Sequence, residues 1–201
     1  MTLRNVVGVA LIAVALWSGW RRFELRPVHP PDGVLAPDEP LQSAVQDAAP
    51  LARGRWLLTV RADYDVTARI LAREDYHFDA LADLIPEDLA LGWGPMSDNA
   101  VLSHFDISQD VRFYFWQSRG PLVIPREAVT SHSANTHLIP ANDAVRAALK
   151  RLRIGEVVHL SGELVDGKRG DGAWIKTSLT RVDSGPGSCE VLLVKEVVVV
   201  Q

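Results

Sequence analysis

Asn142-Asp-Ala-Val-Arg-Ala-Ala-Leu-Lys-Arg-Leu-Arg-Ile-Gly-Glu-Val-Val-His-Leu-Ser-Gly-Glu-Leu-Val165 contains the change of pattern on which the fold class rests. Up to Arg153 the apolar residues Val145, Ala148, Leu149 and Leu152 form one helical stripe, and Arg146, Lys150 and Arg153 share another face. Asn142 stands where an N-cap belongs and Gly155 where a helix ends. From Glu156 to Val165 the chain takes on strand character. Asp166-Gly167 and Asp171-Gly172 mark a hairpin into Ala173–Thr180, and Cys189–Val200 reads as another strand. A helix feeding an antiparallel meander predicts an α+β domain, mainly antiparallel, with a partly closed sheet of OB-like or SH3-like character and a few short helices.

Upstream, Trp56–Val60 and Tyr64–Leu71 are rich in β-branched and aromatic residues and predict strands. Ile107–Trp116 predicts another, with Val111, Phe113 and Phe115 alternating against Arg112, Tyr114 and Trp116. Two short helices are expected between them. One opens at Pro86 with Glu87 and Asp88 in its first turn, where acids suit the helix dipole, and one is capped by Ser97 with Asp98 behind it.

The N-terminus is apolar and uncharged from Val6 to Trp20, between Arg4 and the pair Arg21-Arg22. Small residues of the A-x-A type are missing just beyond it, so residues 1–22 are expected to stay attached as one transmembrane helix, with residues 5–20 in the lipid bilayer and Trp17 and Trp20 at its interface. Residues 23–52, with Pro27, Pro30, Pro31, Pro37, Pro40 and Pro50, read as a flexible linker, and residues 53–201 as one β-rich domain. The expected location is the bacterial inner membrane, single-pass, with the domain periplasmic. Arg21, Arg22 and Arg26 beyond the segment favour the reverse orientation.

Composition removes one function class. The chain has 201 residues, 47% hydrophobic, with a formal net charge of −4, the wrong sign for a general nucleic-acid binder. The six tryptophans suit rigid packing or a stacking surface.

Three blocks, Asp88-Leu-Ala-Leu-Gly-Trp-Gly-Pro-Met-Ser-Asp98, Ser131-His-Ser-Ala-Asn-Thr-His137 and Ser178-Leu-Thr-Arg-Val-Asp183 followed by Cys189-Glu190, resemble those of a widespread group of uncharacterised bacterial proteins over about residues 55–200. The resemblance implies a single domain and no particular activity.

Candidate catalytic residues are His132, His137 and Cys189. The two histidines are five apart, on opposite faces of a strand and about 140° apart on a helix, which does not suit a shared metal. Neither a metal nor a cofactor is expected. Cys189, the only cysteine, follows Gly185–Ser188 and opens a strand, the setting of a small buried residue. Trp93, between Gly92 and Gly94, Asn135 and Arg181 are candidate ligand-binding residues, and Arg181 is placed to pair with Asp183 on a shared strand face. Two functions fit: a non-catalytic envelope module that binds another protein or a glycan-like polymer, and a hydrolase using His132 or His137 with Cys189 or a metal.

Overall fold

A computed structural model describes residues 3–201, so the first two positions of the expected anchor lie outside the described residues. In chain order the elements are α1 (Leu3–Glu24), β1 (Leu41–Ala44), β2 (Leu51–Arg53), β3 (Trp56–Asp75), β4 (Glu87–Gly92), α2 (Asn99–Leu102), β5 (Phe105–Asp110), β6 (Phe113–Ser118), α3 (Arg126–Ser131), β7 (Ser133–Pro140), α4 (Asp143–Leu149), β8 (Val157–Arg169), β9 (Trp174–Ile175) and β10 (Glu190–Val199). The domain is α+β and mostly sheet.

Five strands close on one another. β3 pairs with β4, β4 with β7, β7 with β10, β10 with β8, and β8 returns to β3. Only β7 and β10 run parallel. Closure depends on the length of β3, which follows β8 from Trp56 to Arg69 and β4 from Arg69 to Asp75, with irregularities at Val60/Ala62 and Ile70/Ala72 that bend it. Gly162 in β8 lies against the Leu193 carbonyl of β10, with no room for a Cβ.

Inside the circuit, Tyr64, Val66, Ile70, Leu89, Leu91, Leu138, Leu160 and Leu192 form one core. α4 joins β7 to β8 and closes one end with Val145 and Leu149, aided by Leu152. The Asn142 side chain caps α4 by accepting from the Val145 N–H at 3.0 Å, as its position in the sequence requires. Because strand side chains alternate, Asp88, Asn135, His137, Val191 and Leu193 face outward. They are buried nonetheless, beneath the β5–β6 hairpin and the 76–86 loop.

Several local expectations change in this setting. Glu87–Gly92 is a strand, not the start of a helix: it is buried at every position, and pairing on both edges with β3 and β7 outweighs the helix-opening look of Pro-Glu-Asp. The cap of the next helix is Asp98, which accepts from the Ala100 N–H, while Ser97 lies in a 3-10 turn over Gly94–Ser97. Ile107–Trp116 is not one strand but parts of β5 and β6 around a two-residue turn, Val111-Arg112, with φ of 48° and 65°. Such turns usually take Asn-Gly. Val-Arg in that conformation costs on the order of 1–3 kcal/mol and aims Arg112 at the β4–β7 face.

The proline-rich stretch is laid against the domain instead of hanging free. The Val28 N–H donates to the Ile154 carbonyl at 2.8 Å, and Ser97 Oγ accepts from the N–H groups of Leu35 and Ala36. Ala36 is fully buried, and β1 and β2 lie along β3. Proline's missing donor leaves its neighbours' N–H groups to make these bonds. Ahead of this segment, α1 exposes apolar side chains around its whole circumference from Val6 to Phe23. Among the described residues, no helix is long and apolar enough to cross a membrane.

Candidate functional site

The outward face of β4 and β7 is where a hydrophobic wall turns polar. Register sets Asp88 beside His137 and Ala90 beside Asn135. On the other edge of β7, Glu190 of β10 is level with Thr136, which brings the preceding residue, Cys189, level with Asn135. Asp88 is completely buried, and His137 Nδ1 lies 2.8 Å from its Oδ2. That contact is short but falls outside hydrogen-bond geometry, so it acts as an ion pair. The Cys189 sulfur lies near enough to the ring to favour its charge. Burial opposes a charge on His137, but contact with Asp88 and Cys189 outweighs it and raises the imidazole to about 9. It is therefore protonated at neutral pH.

Asn135 stands at the sulfur. Its Nδ2 donates to the Arg112 carbonyl at 3.0 Å and lies 3.6 Å from Cys189 Sγ, while its Oδ1 accepts from Gln109 Nε2 at 2.5 Å. The hairpin thus fixes which way the amide points. Arg112 anchors the hairpin in turn. Its guanidinium bonds both oxygens of Asp79 at 2.8 Å and the Ile85 carbonyl at 3.0 Å, reaches Asp88 at 3.5 Å, and stacks over Tyr76. Burial pushes the Asp79 carboxyl up, and Arg112 together with the Leu81 and Ala82 N–H groups more than cancels this, leaving it below the usual range.

Cys189 and Asn135 open onto a pocket of about 140 Å³ between the hairpin and the 183–188 loop, with Tyr114, Trp116, Asp183 and Ser184 among its walls. Behind it, Glu190 points into the other end of the barrel. Its Oε1 accepts from Arg181 Nη1 at 3.0 Å, its Oε2 has no protein partner, and burial pushes it up to about 7 against the pull of Arg181.

Of the residues singled out by sequence, the structure gathers His137, Cys189 and Asn135 into one site and puts Arg181 behind it. Arg181 does not pair with Asp183. It serves Glu190 and Gln42 and lies over the Tyr64 ring, while Asp183 accepts from Ser178 Oγ, because residues 181–183 are bend and loop and not a strand. His132 is elsewhere: its Nδ1 contacts the Ala128 carbonyl at 2.8 Å and its ring packs under Gly94. Trp93 lies in the barrel core, away from the pocket. Asp88, Gln109 and Arg112 were missed. Asp88 had read as a helix-start acid, and its one distinguishing signal is register with His137, which no local pattern reveals.

Among the described residues there is no group of three or more His, Cys, Asp or Glu side chains placed to hold a metal. Comparison with protein families, characterised proteins and solved structures finds no match.

Proposed function

We propose that the domain is a thiol hydrolase of small acyl substrates, with Cys189 as nucleophile, His137 as acid–base group and Asp88 as the counter-ion that orients it. The observation carrying this reading is the succession of Asp88, His137 and Cys189 behind the pocket, with Cys189 opening onto it. Cys189 attacks the acyl carbon as a thiolate whose proton is held on His137, and the Asn135 Nδ2 beside it is the donor at hand for the oxyanion. The imidazolium gives its proton to the leaving group as the acyl bond breaks, forming a thioester. Water then adds to the thioester with neutral His137 taking its proton, releasing the acid and restoring the thiolate–imidazolium pair. Cavities of about 150 Å³ admit a benzene-sized group, so the pocket suits a short acyl group.

The test is p-nitrophenyl acetate on the full chain, read by intact mass and peptide mapping. One acetyl group should appear on Cys189 and turn over. Cys189→Ala should abolish it, and His137→Gln should slow both steps about 100-fold. Acetylation elsewhere, or wild-type rates in His137→Gln, refutes the reading.

A second reading, the binding module for an envelope protein or glycan-like polymer, is favoured by the strand order. β3-β4-β7-β10-β8, with a helix between β7 and β8 and β7 parallel to β10, supports an OB-like barrel, in which the face of the second and third strands, here β4 and β7, commonly takes ligand. Phe113 and Phe115 are exposed on the hairpin covering that face. In this case no acetyl group is transferred.

Either domain is tethered in the proposal. The uncharged run from Asn5 to Trp20 is about 24 Å long as a helix, so a bilayer taking it up thins slightly around it. Its exposed apolar side chains support an anchor, since water alone does not stabilise such a surface. The domain side is periplasmic in this reading. Alkaline phosphatase fused after residue 50 should be active, membrane-bound and of uncleaved size. A silent phosphatase with a fluorescent cytosolic fusion reverses the assignment, and a soluble, shortened product replaces the anchor with a cleaved signal.

A further inference from the structure

We propose that the basic end of α4, Lys150 and Arg151 with Arg153 beside them, docks on the anionic headgroups of the bilayer that takes up α1. This rests on the anchor reading of α1 and adds to it a specific lipid contact. Where the chain leaves α1 it is fastened to the α4–β8 turn: the Val28 N–H donates to the Ile154 carbonyl, and Gly155, at φ +93°, sits against Val28 with no room for a side chain. Wherever α1 inserts, this turn therefore follows it to the membrane surface.

Between the two helices lies a cleft of about 490 Å³ lined by Trp20, Phe23, Glu24, Lys150, Arg151 and Arg153. One wall is aromatic and the other cationic, the composition of an interface where acyl chains meet phosphates. Trp20 and Phe23 are 60% and 61% exposed.

Of these cations Arg153 alone is engaged in an ion pair among the described residues, and Lys150 acts on Glu87 only at a distance. A helix C-terminus ordinarily draws Lys and Arg to its free carbonyls, but here Arg73 Nη1 takes the carbonyls of Leu149 and Leu152 at 3.1 and 2.8 Å. Lys150 and Arg151 are exposed and form no ion pair among the described residues. Arg153 is held by Glu156 at 2.6 Å, and Arg26 lies over the Phe23 ring at 4.5 Å. A cationic rim left over beside an apolar helix fits a phosphate-bearing surface better than a protein partner, whose interface cores are depleted in lysine.

The full chain is reconstituted into vesicles of phosphatidylcholine alone and of phosphatidylcholine with one-third phosphatidylglycerol, and Lys150 is labelled with a water-soluble amine reagent, with exposed Lys168 as internal reference. Labelling of Lys150 relative to Lys168 should fall about fivefold with phosphatidylglycerol and recover in high salt and in Arg151→Glu. Equal labelling in both lipids, or protection that survives both salt and Arg151→Glu, overturns the proposal. Flotation with phosphatidylcholine vesicles reads the anchor separately. If the chain does not float there, the anchor reading fails. The headgroup site is then sustained only by salt-sensitive Lys150 protection on phosphatidylglycerol vesicles, and overturned without it.

Discussion

Asp88→Ala is expected to lower the free energy of unfolding at neutral pH by about 3–5 kcal/mol, the usual result of removing one partner from a buried ion pair. Asp88 is fully buried between His137 and Arg112. Arg112 keeps Asp79, but His137 is left with burial that opposes its charge. Its imidazole should consequently titrate well below 9, and near neutral pH it should be uncharged. Urea denaturation measures the first effect, and NMR titration of the His137 ring the second. Asp88→Asn separates them, because it keeps the shape and removes the charge: most of the packing should survive while the titration still moves down. An unmoved His137 titration in both variants would show that Asp88 is not the source of its charge, and would remove Asp88 from the proposed mechanism.

Stability should fall as pH rises from about 5 to 9, and by several kcal/mol in total. Three buried groups hold protons more tightly folded than unfolded. Burial raises Glu87 and Glu190 from 4.5 to about 7, Arg73 and Arg181 opposing it only in part, and His137 is raised from 6.5 to about 9. The folded state therefore binds more protons, and ΔG of unfolding declines with pH at about 1.4 kcal/mol per unit for each group in its window. The contribution of the two glutamates is complete below pH 4.5 and lost as pH passes 7. That of His137 is complete below 6.5 and lost as pH passes 9. At the acid end, Asp79 and Asp83 are held below 3.8 by their arginine partners despite burial, and they withdraw stability as they take up protons. The maximum should lie between about pH 4 and 5. Urea midpoints measured across pH 4–9 give the curve. His137→Gln should flatten the limb between 6.5 and 9, and Glu190→Gln the limb between 4.5 and 7. A curve rising toward pH 8 would contradict all three assignments.

What the sequence determined by itself is what lies within a few residues of its own signal. Asn142 caps α4 because its oxygen needs only the N–H three residues on, and the stripe Val145, Leu149, Leu152 seals the barrel because helical spacing puts those side chains together. The turn at Asp171-Gly172 and the α+β class are local in the same sense, whereas Asp166-Gly167 lies within β8 and Val111-Arg112 turns without a turn signal. Only the tertiary structure decided the rest. Glu87-Asp88 carries a helix-start pattern, yet β3 and β7 on either edge make it a buried strand, since two ladders and full burial exceed a propensity difference of under 1 kcal/mol. The site depends on that same strand. Asp88, His137 and Cys189 are 49 and 52 residues apart along the chain and meet because pairing registers place them on one face. His132, five residues from His137, is not on that strand at all: it ends α3 one residue before β7 begins, and its ring packs against Gly94, so nearness in sequence brings it no nearer the site.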